Sequence, residues 1–106
     1  MKTGKEMNSG GTSFHGVRVK ATPVELMAIA SKFETDYYNG NSGDDKTNYD
    51  FTFSTDEGEP FTVYDWKEYR PLKEFETVEW HIGAKGRMVS FQGRLELMEE
   101  ILKLRR

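Results

Sequence analysis

The chain has 106 residues, 31% of them charged, a net charge of −3 and no cysteine. That length suits one domain, and the lack of cysteine excludes disulfides and thiolate metal sites and makes a reducing cytoplasm the simplest location. No apolar run approaches the ~18 residues of a membrane span, and polar Met1–Ser13 lacks the apolar stretch of a signal peptide. The mild acidic balance disfavours duplex nucleic acid as a partner, since phosphate neutralisation calls for a basic excess.

Residues 1–12, rich in Gly, Ser, Lys and Asn, read as a flexible N-terminal arm, and residues 13–106 as a single α+β domain. Ser13–Lys20 reads as a first strand, with Val17 and Val19 on one face and Arg18 and Lys20 on the other. Thr22-Pro23-Val24-Glu25 is a helix start. The threonine and glutamate have capping-box spacing, and proline occupies the tolerated first position. Leu26, Ile29, Ala30 and Phe33 then make an amphipathic helix ending between Phe33 and Asp36. Asn39–Lys46 is a loop, with Gly40, Gly43 and Asp44-Asp45 supplying turn chemistry.

Asn48–Ser54 alternates Tyr49, Phe51 and Phe53 against Asp50 and Thr52, as a strand does. Asp56-Glu57-Gly58-Glu59 turns the chain, and Phe61–Trp66 returns. Glu76–Ile82 is the fourth strand, with Val78, Trp80 and Ile82 on one face. Ser90–Arg105 reads as a helix with a Phe91, Leu95, Met98, Leu102 stripe, widened by Leu97, Ile101 and Leu104. Gly93 within it costs about 1 kcal/mol. The order is β-α-β-β-β-α: an antiparallel-rich four-stranded sheet with helices packed on one face.

The chemistry concentrates in two runs, Tyr64–Pro71 and Glu79–Arg87. Both tryptophans lie in them. In the first run, Tyr64 and Trp66 project from the face opposite Val63, with Lys67, Tyr69 and Arg70 beside them. Exposed aromatic faces stack on bases for about 1–3 kcal/mol each. They also serve as subunit contacts, and Tyr64, Trp66 and Trp80 together point to a homo-oligomer. In the second run, His81, Gly83, Lys85, Gly86 and Arg87 form a glycine-basic loop ahead of a helix starting near Ser90, a place where backbone amides can cradle an anion. The bland reading is a strand-to-helix connection with solvated cations. The ligand-binding expectation is Tyr64, Trp66, Lys67, Tyr69, His81, Gly83, Lys85, Gly86, Arg87 and Ser90. The partner is a nucleotide-like small molecule.

Enzyme motifs fall short. The glycine loop lacks the Gly-Lys-Ser/Thr order of a P-loop. Asp65-x-Lys67 with Asp50 upstream has the spacing of a metal-dependent nuclease hairpin, a pattern common by chance. His15 and His81 lack the hydroxyl partner that phosphodiester chemistry with two histidines uses, and read as structural. Asp44, Asp45 and Asp50 lack EF-hand spacing. No catalytic residue, metal or cofactor is assigned. A rival reading is a protein–protein inhibitor whose acidic stretch, Asp44–Glu59, mimics nucleic-acid charge.

Four strings, Ser13-Phe14-His15-Gly16, Ala21-Thr22-Pro23, Thr62–Tyr69 and Glu79–Gly83, resemble a family of small phage-encoded proteins over about residues 13–100. The Tyr64-Asp65-Trp66-Lys67 and Trp80-His81-Ile82-Gly83 strings carry most of the likeness. It is similar to the phage nucleotide sponges of the anti-CBASS kind. What that resemblance implies is an oligomer in the host cytoplasm that sequesters a cyclic nucleotide signal without turning it over.

Overall fold

The structure is a computed structural model and describes residues 1–4, 7–40 and 46–106. Five strands and two helices follow in the order β1 (Ser13–Ala21), α1 (Pro23–Lys32), β2 (Tyr37–Asn39), β3 (Tyr49–Ser54), β4 (Pro60–Tyr64), β5 (Val78–Ala84) and α2 (Arg87–Leu104). The strands form one sheet in the order β1-β5-β4-β3-β2, with every neighbouring pair antiparallel. The class expected from the sequence holds. The strand count does not: β2, three exposed residues at the edge beside β3, was missed because so short a segment shows no period. Tyr37 fastens it by stacking on Phe51, 4.7 Å between ring centroids.

Alternation in the strands sorts the sheet into two faces. Val17, Val19, Phe51, Phe53, Phe61, Val63, Val78, Trp80 and Ile82 are buried together with Leu26, Ile29, Leu97 and Ile101 from the helices. Trp80 is fully buried there and its indole N–H donates to the Ala21 carbonyl at 2.9 Å. It therefore adds nothing to an exposed aromatic patch. Of the three rings that pointed to an oligomer, Trp66 is exposed and Tyr64 half-buried.

The capping box forms as expected: Thr22 Oγ1 accepts from the Glu25 amide and Glu25 Oε1 from the Thr22 amide. The helix ends at Lys32, slightly before the expected stop. Met1–Gly4 runs beside β3, where Lys2 bridges Ser54, the terminal amine meets Asp56 and Glu96, and the Gly4 amide donates to Thr35.

α2 turns a different face inward from the one its apolar periodicity marks. Phe91, Leu95, Met98 and Leu102 are exposed, whereas Ser90, Gly93, Glu96, Leu97, Glu100 and Ile101 are buried. Two glutamates sit on the inner face because each has partners. Glu96 accepts from the Asp56 amide, Gln92 and the terminal amine, and Glu100 pairs with Lys32 and Lys103. Gly93 allows a close approach of the helix to the sheet: a Cβ there would lie 2.7 Å from the ring of Phe61.

Candidate functional site

The face of the sheet away from the helices carries a row of side chains in direct cross-strand register. Tyr38 pairs with Asp50, Asp50 with Tyr64, Tyr64 with His81, and His81 with Arg18. The rings in this row touch. Phe14 stacks on His81 at 4.2 Å, Tyr64 lies 5.7 Å from His81, and Trp66 meets Tyr64 edge-on at 6.0 Å. Arg18 covers the outer side of Phe14 at 5.0 Å.

Trp66 is held by the loop that follows β4. Asp65 is fully buried and accepts from the Asn48 amide, the Asn48 side chain and the Tyr49 amide, at 2.8–2.9 Å. Lys67 and Tyr69 take the left-handed conformation, φ 55° and 51°. Non-glycine residues are uncommon there and persist where the surroundings impose them. The Lys67 amide donates to the Lys46 carbonyl at 2.7 Å, and both ammonium groups stand over the Trp66 ring, Lys46 at 5.8 Å and Lys67 at 5.5 Å.

A cavity of about 260 Å³ opens between this loop, the sheet and the segment around Ser9 and Thr12. Asp50, Thr62, Tyr64 and Trp66 form its working walls. Burial, and then the negative charge of Asp65, push the Asp50 carboxyl up to about 6. Burial and the Asp50 charge raise the Tyr64 phenol in turn. Burial, with Arg18 beside it, holds the His81 imidazole below its usual value. At neutral pH the cavity thus presents a strained carboxylate acceptor next to two aromatic rings, one of which, Trp66, carries two ammonium groups near its ring.

The sequence-predicted set is divided. Tyr64, Trp66, Lys67 and His81 come together on the open face, and Gly83 lines the same cavity. Gly83 is strand interior, not loop: it is buried in β5, and a Cβ would meet Thr62 Oγ1 at 2.6 Å. Tyr69 is exposed and, among the described residues, joins none of the cluster's ring contacts.

The glycine-basic loop shrinks to Lys85-Gly86 because β5 runs through Ala84 and α2 begins at Arg87. Ser90 is fully buried and its hydroxyl donates to the Gly86 carbonyl, so it faces no ligand. Arg87 lies over Phe91 at 5.4 Å, and neither it nor Lys85 lines the cavity.

Asp65, offered as a metal-holding carboxylate, has both oxygens committed to backbone and Asn48 donors. His15 takes a structural place, with Nε2 3.1 Å from the Ala84 carbonyl oxygen. In the acidic stretch, Asp44 and Asp45 lie outside the described residues. Asp50 turns into the cavity, Asp56 meets the terminal amine, and Glu57 and Glu59 stand exposed.

Sequence reasoning weighed Asp50 only as a metal-holding carboxylate and passed over Lys46. The available signal was an aspartate alternating with Thr52 on the strand paired to Tyr64, and a lysine just before that strand. Comparison with known proteins finds no matching family model, no matching curated protein and no matching solved structure.

Proposed function

We propose that the chain binds one nucleobase of a nucleotide-like anion in the Asp50–Tyr64–Trp66 cavity and holds it without chemical conversion. The carrying observation is the register that sets Asp50 directly beside Tyr64 while Lys46 and Lys67 flank Trp66. Stacking on Trp66 and Tyr64 supplies sequence-tolerant affinity. The two lysines meet phosphate, where charge-assisted hydrogen bonds are strongest.

Asp50 then selects the base. Ionised above about pH 6, it only accepts hydrogen bonds. A base with adjacent N–H donors on one edge, guanine, satisfies both its oxygens. A cavity of about 260 Å³ takes one fused ring, being smaller than the roughly 300–1,000 Å³ usual for whole drug-sized ligands. A cyclic dinucleotide, the ligand class implied by the resemblance to phage sponges, would leave its second base for another copy of the chain. Binding without turnover is supported by Asp65, whose oxygens are occupied, and by His81, whose ring is packed between Phe14 and Tyr64.

The test is calorimetry with GMP, AMP, cyclic di-GMP and cyclic di-AMP at pH 7, with product analysis afterwards. The reading expects guanine nucleotides to bind, adenine nucleotides to bind at least tenfold more weakly, and the ligand to be recovered intact. Equal affinity for both bases, or conversion of the ligand, refutes it.

A further inference from the structure

A second cavity, about 590 Å³, lies elsewhere, between β1 and α2. β1 is an outer strand of the sheet, bonded on one side to β5. Among the described residues, no backbone hydrogen bond reaches the other side of residues 17–20. Val17 and Val19 face the helix layer at this edge, and Phe91, Met98 and Leu102 of α2 project over it. An open strand edge and an exposed apolar helix face therefore line one groove. Four cations, Arg18, Lys20, Arg94 and Arg105, and one acid, Glu79, also line it. Arg18 is paired with Glu79 and Arg105 with Glu25, whereas the Nε of Arg94 is buried and finds no partner among the described residues.

We propose that this groove receives an extended segment of another protein, added as a strand to β1, with apolar and acidic side chains in alternation. The alternation follows from the geometry of a sheet. Residues of an added strand opposite Val17 and Val19 point toward Phe91, Met98 and Leu102 and must be apolar. Residues opposite Arg18 and Lys20 point to the other face and are best acidic. A bulge between Phe14 and Arg18, with Gly16 at φ 83°, stops pairing at that end and limits the docked segment to about the length of Val17–Ala21. A second copy is the poorer occupant. Antiparallel β1–β1 pairing about Val19 sets Arg18 of one chain against Lys20 of the other, and like charges directly opposite destabilise a pair. The groove shares no wall with the Asp50 cavity, so this proposal stands or falls separately from the nucleotide reading.

The experiment is fluorescence anisotropy with a fluorescein-labelled peptide, acetyl-Gly-Leu-Glu-Val-Glu-Leu-Gly-amide, and a twin carrying Lys for Glu. The acidic peptide is expected to bind the wild-type chain, and the basic twin at least tenfold more weakly. Phe91→Asp should weaken the acidic peptide at least tenfold. Arg18→Glu with Lys20→Glu should invert the preference between the peptides, which keeps the test decisive should Phe91→Asp fail to fold. N-methylating alternate amides should abolish binding in one of the two possible sets and spare it in the other. Absence of acidic-peptide binding at about 1 mM, weaker than any useful recognition, overturns the proposal. So does equal binding of the basic twin, or indifference to both methylation sets. Sedimentation showing a peptide-free dimer that Phe91→Asp dissolves would assign the groove to a second copy and overturn it equally.

Discussion

Replacing Asp50 by asparagine should make this protein more stable and weaken its binding of guanine nucleotides. The carboxyl is raised from 3.8 to about 6 in the folded state, by burial first and the charge of Asp65 second. Between about pH 4 and pH 6 the folded protein retains a proton that the unfolded chain has released. Stability therefore falls as pH rises through this window, and the full cost is present above it. The distance from 3.8 to about 6 corresponds to about 3 kcal/mol at about 1.4 kcal/mol per tenfold. Asp50 is only partly shielded from water, and solvent screening reduces this to about 1–2 kcal/mol. For a chain this size that is a rise of roughly 5–10 °C in Tm.

Urea unfolding of wild type and Asp50→Asn at pH 4, 5, 6, 7 and 8 measures the difference. It should be near zero at the acid end, grow through the window and level off above about pH 6.5. A pH-independent difference, or an Asp50→Asn variant less stable than wild type at pH 7, would show that Asp50 is not strained in the fold. The same substitution should lower guanine-nucleotide affinity ten- to hundredfold, the range for a lost hydrogen bond to a charged group. Gain of stability with loss of binding marks a side chain kept for function at the expense of the fold.

Lys46→Ala with Lys67→Ala should weaken nucleotide binding at least tenfold in calorimetry, whereas Lys85→Ala with Arg87→Ala should leave it within twofold, because the first pair stands over Trp66, a wall of the cavity, and Arg87 lies over Phe91 instead. Asp65→Ala should cost about 3 kcal/mol or more in urea denaturation, since it orphans buried donors of Asn48 and Tyr49. Gly93→Ala should destabilise by about 1–3 kcal/mol in the same assay, despite alanine's better helix propensity, because the new Cβ overlaps the fully buried ring of Phe61.

Local chemistry made much of the fold legible. The Thr22–Glu25 box starts α1 where its spacing says, and alternation alone placed Phe51, Phe53, Val63, Val78 and Ile82 on one face. The partners of Asp65 were not legible, because they come from chain 16 and 17 residues earlier and meet it only in the folded sheet. The same holds for Asp50. Its strand and facing could be read, but its raised carboxyl depends on burial and on Asp65, two things that no window of sequence contains. Trp80 and Trp66 show the converse. Both sit in aromatic runs, yet strand register buries one, while an anchored loop just past β4 presents the other.

The misread face of α2 follows from one physical rule. Periodicity counts apolar side chains and assumes that carboxylates face water, but Glu96 and Glu100 find cations and amides inside and can occupy the buried face. Gly93 completes that face by letting Phe61 approach the helix backbone. With the inner face filled in this way, Phe91, Met98 and Leu102 are left facing outward, over the unpaired edge of β1. Exposed apolar patches beside an open strand invite association, and Arg18 and Lys20 on that edge disfavour association with an identical strand. The residues that defeat the simple helix reading therefore also create the groove and restrict what can fill it.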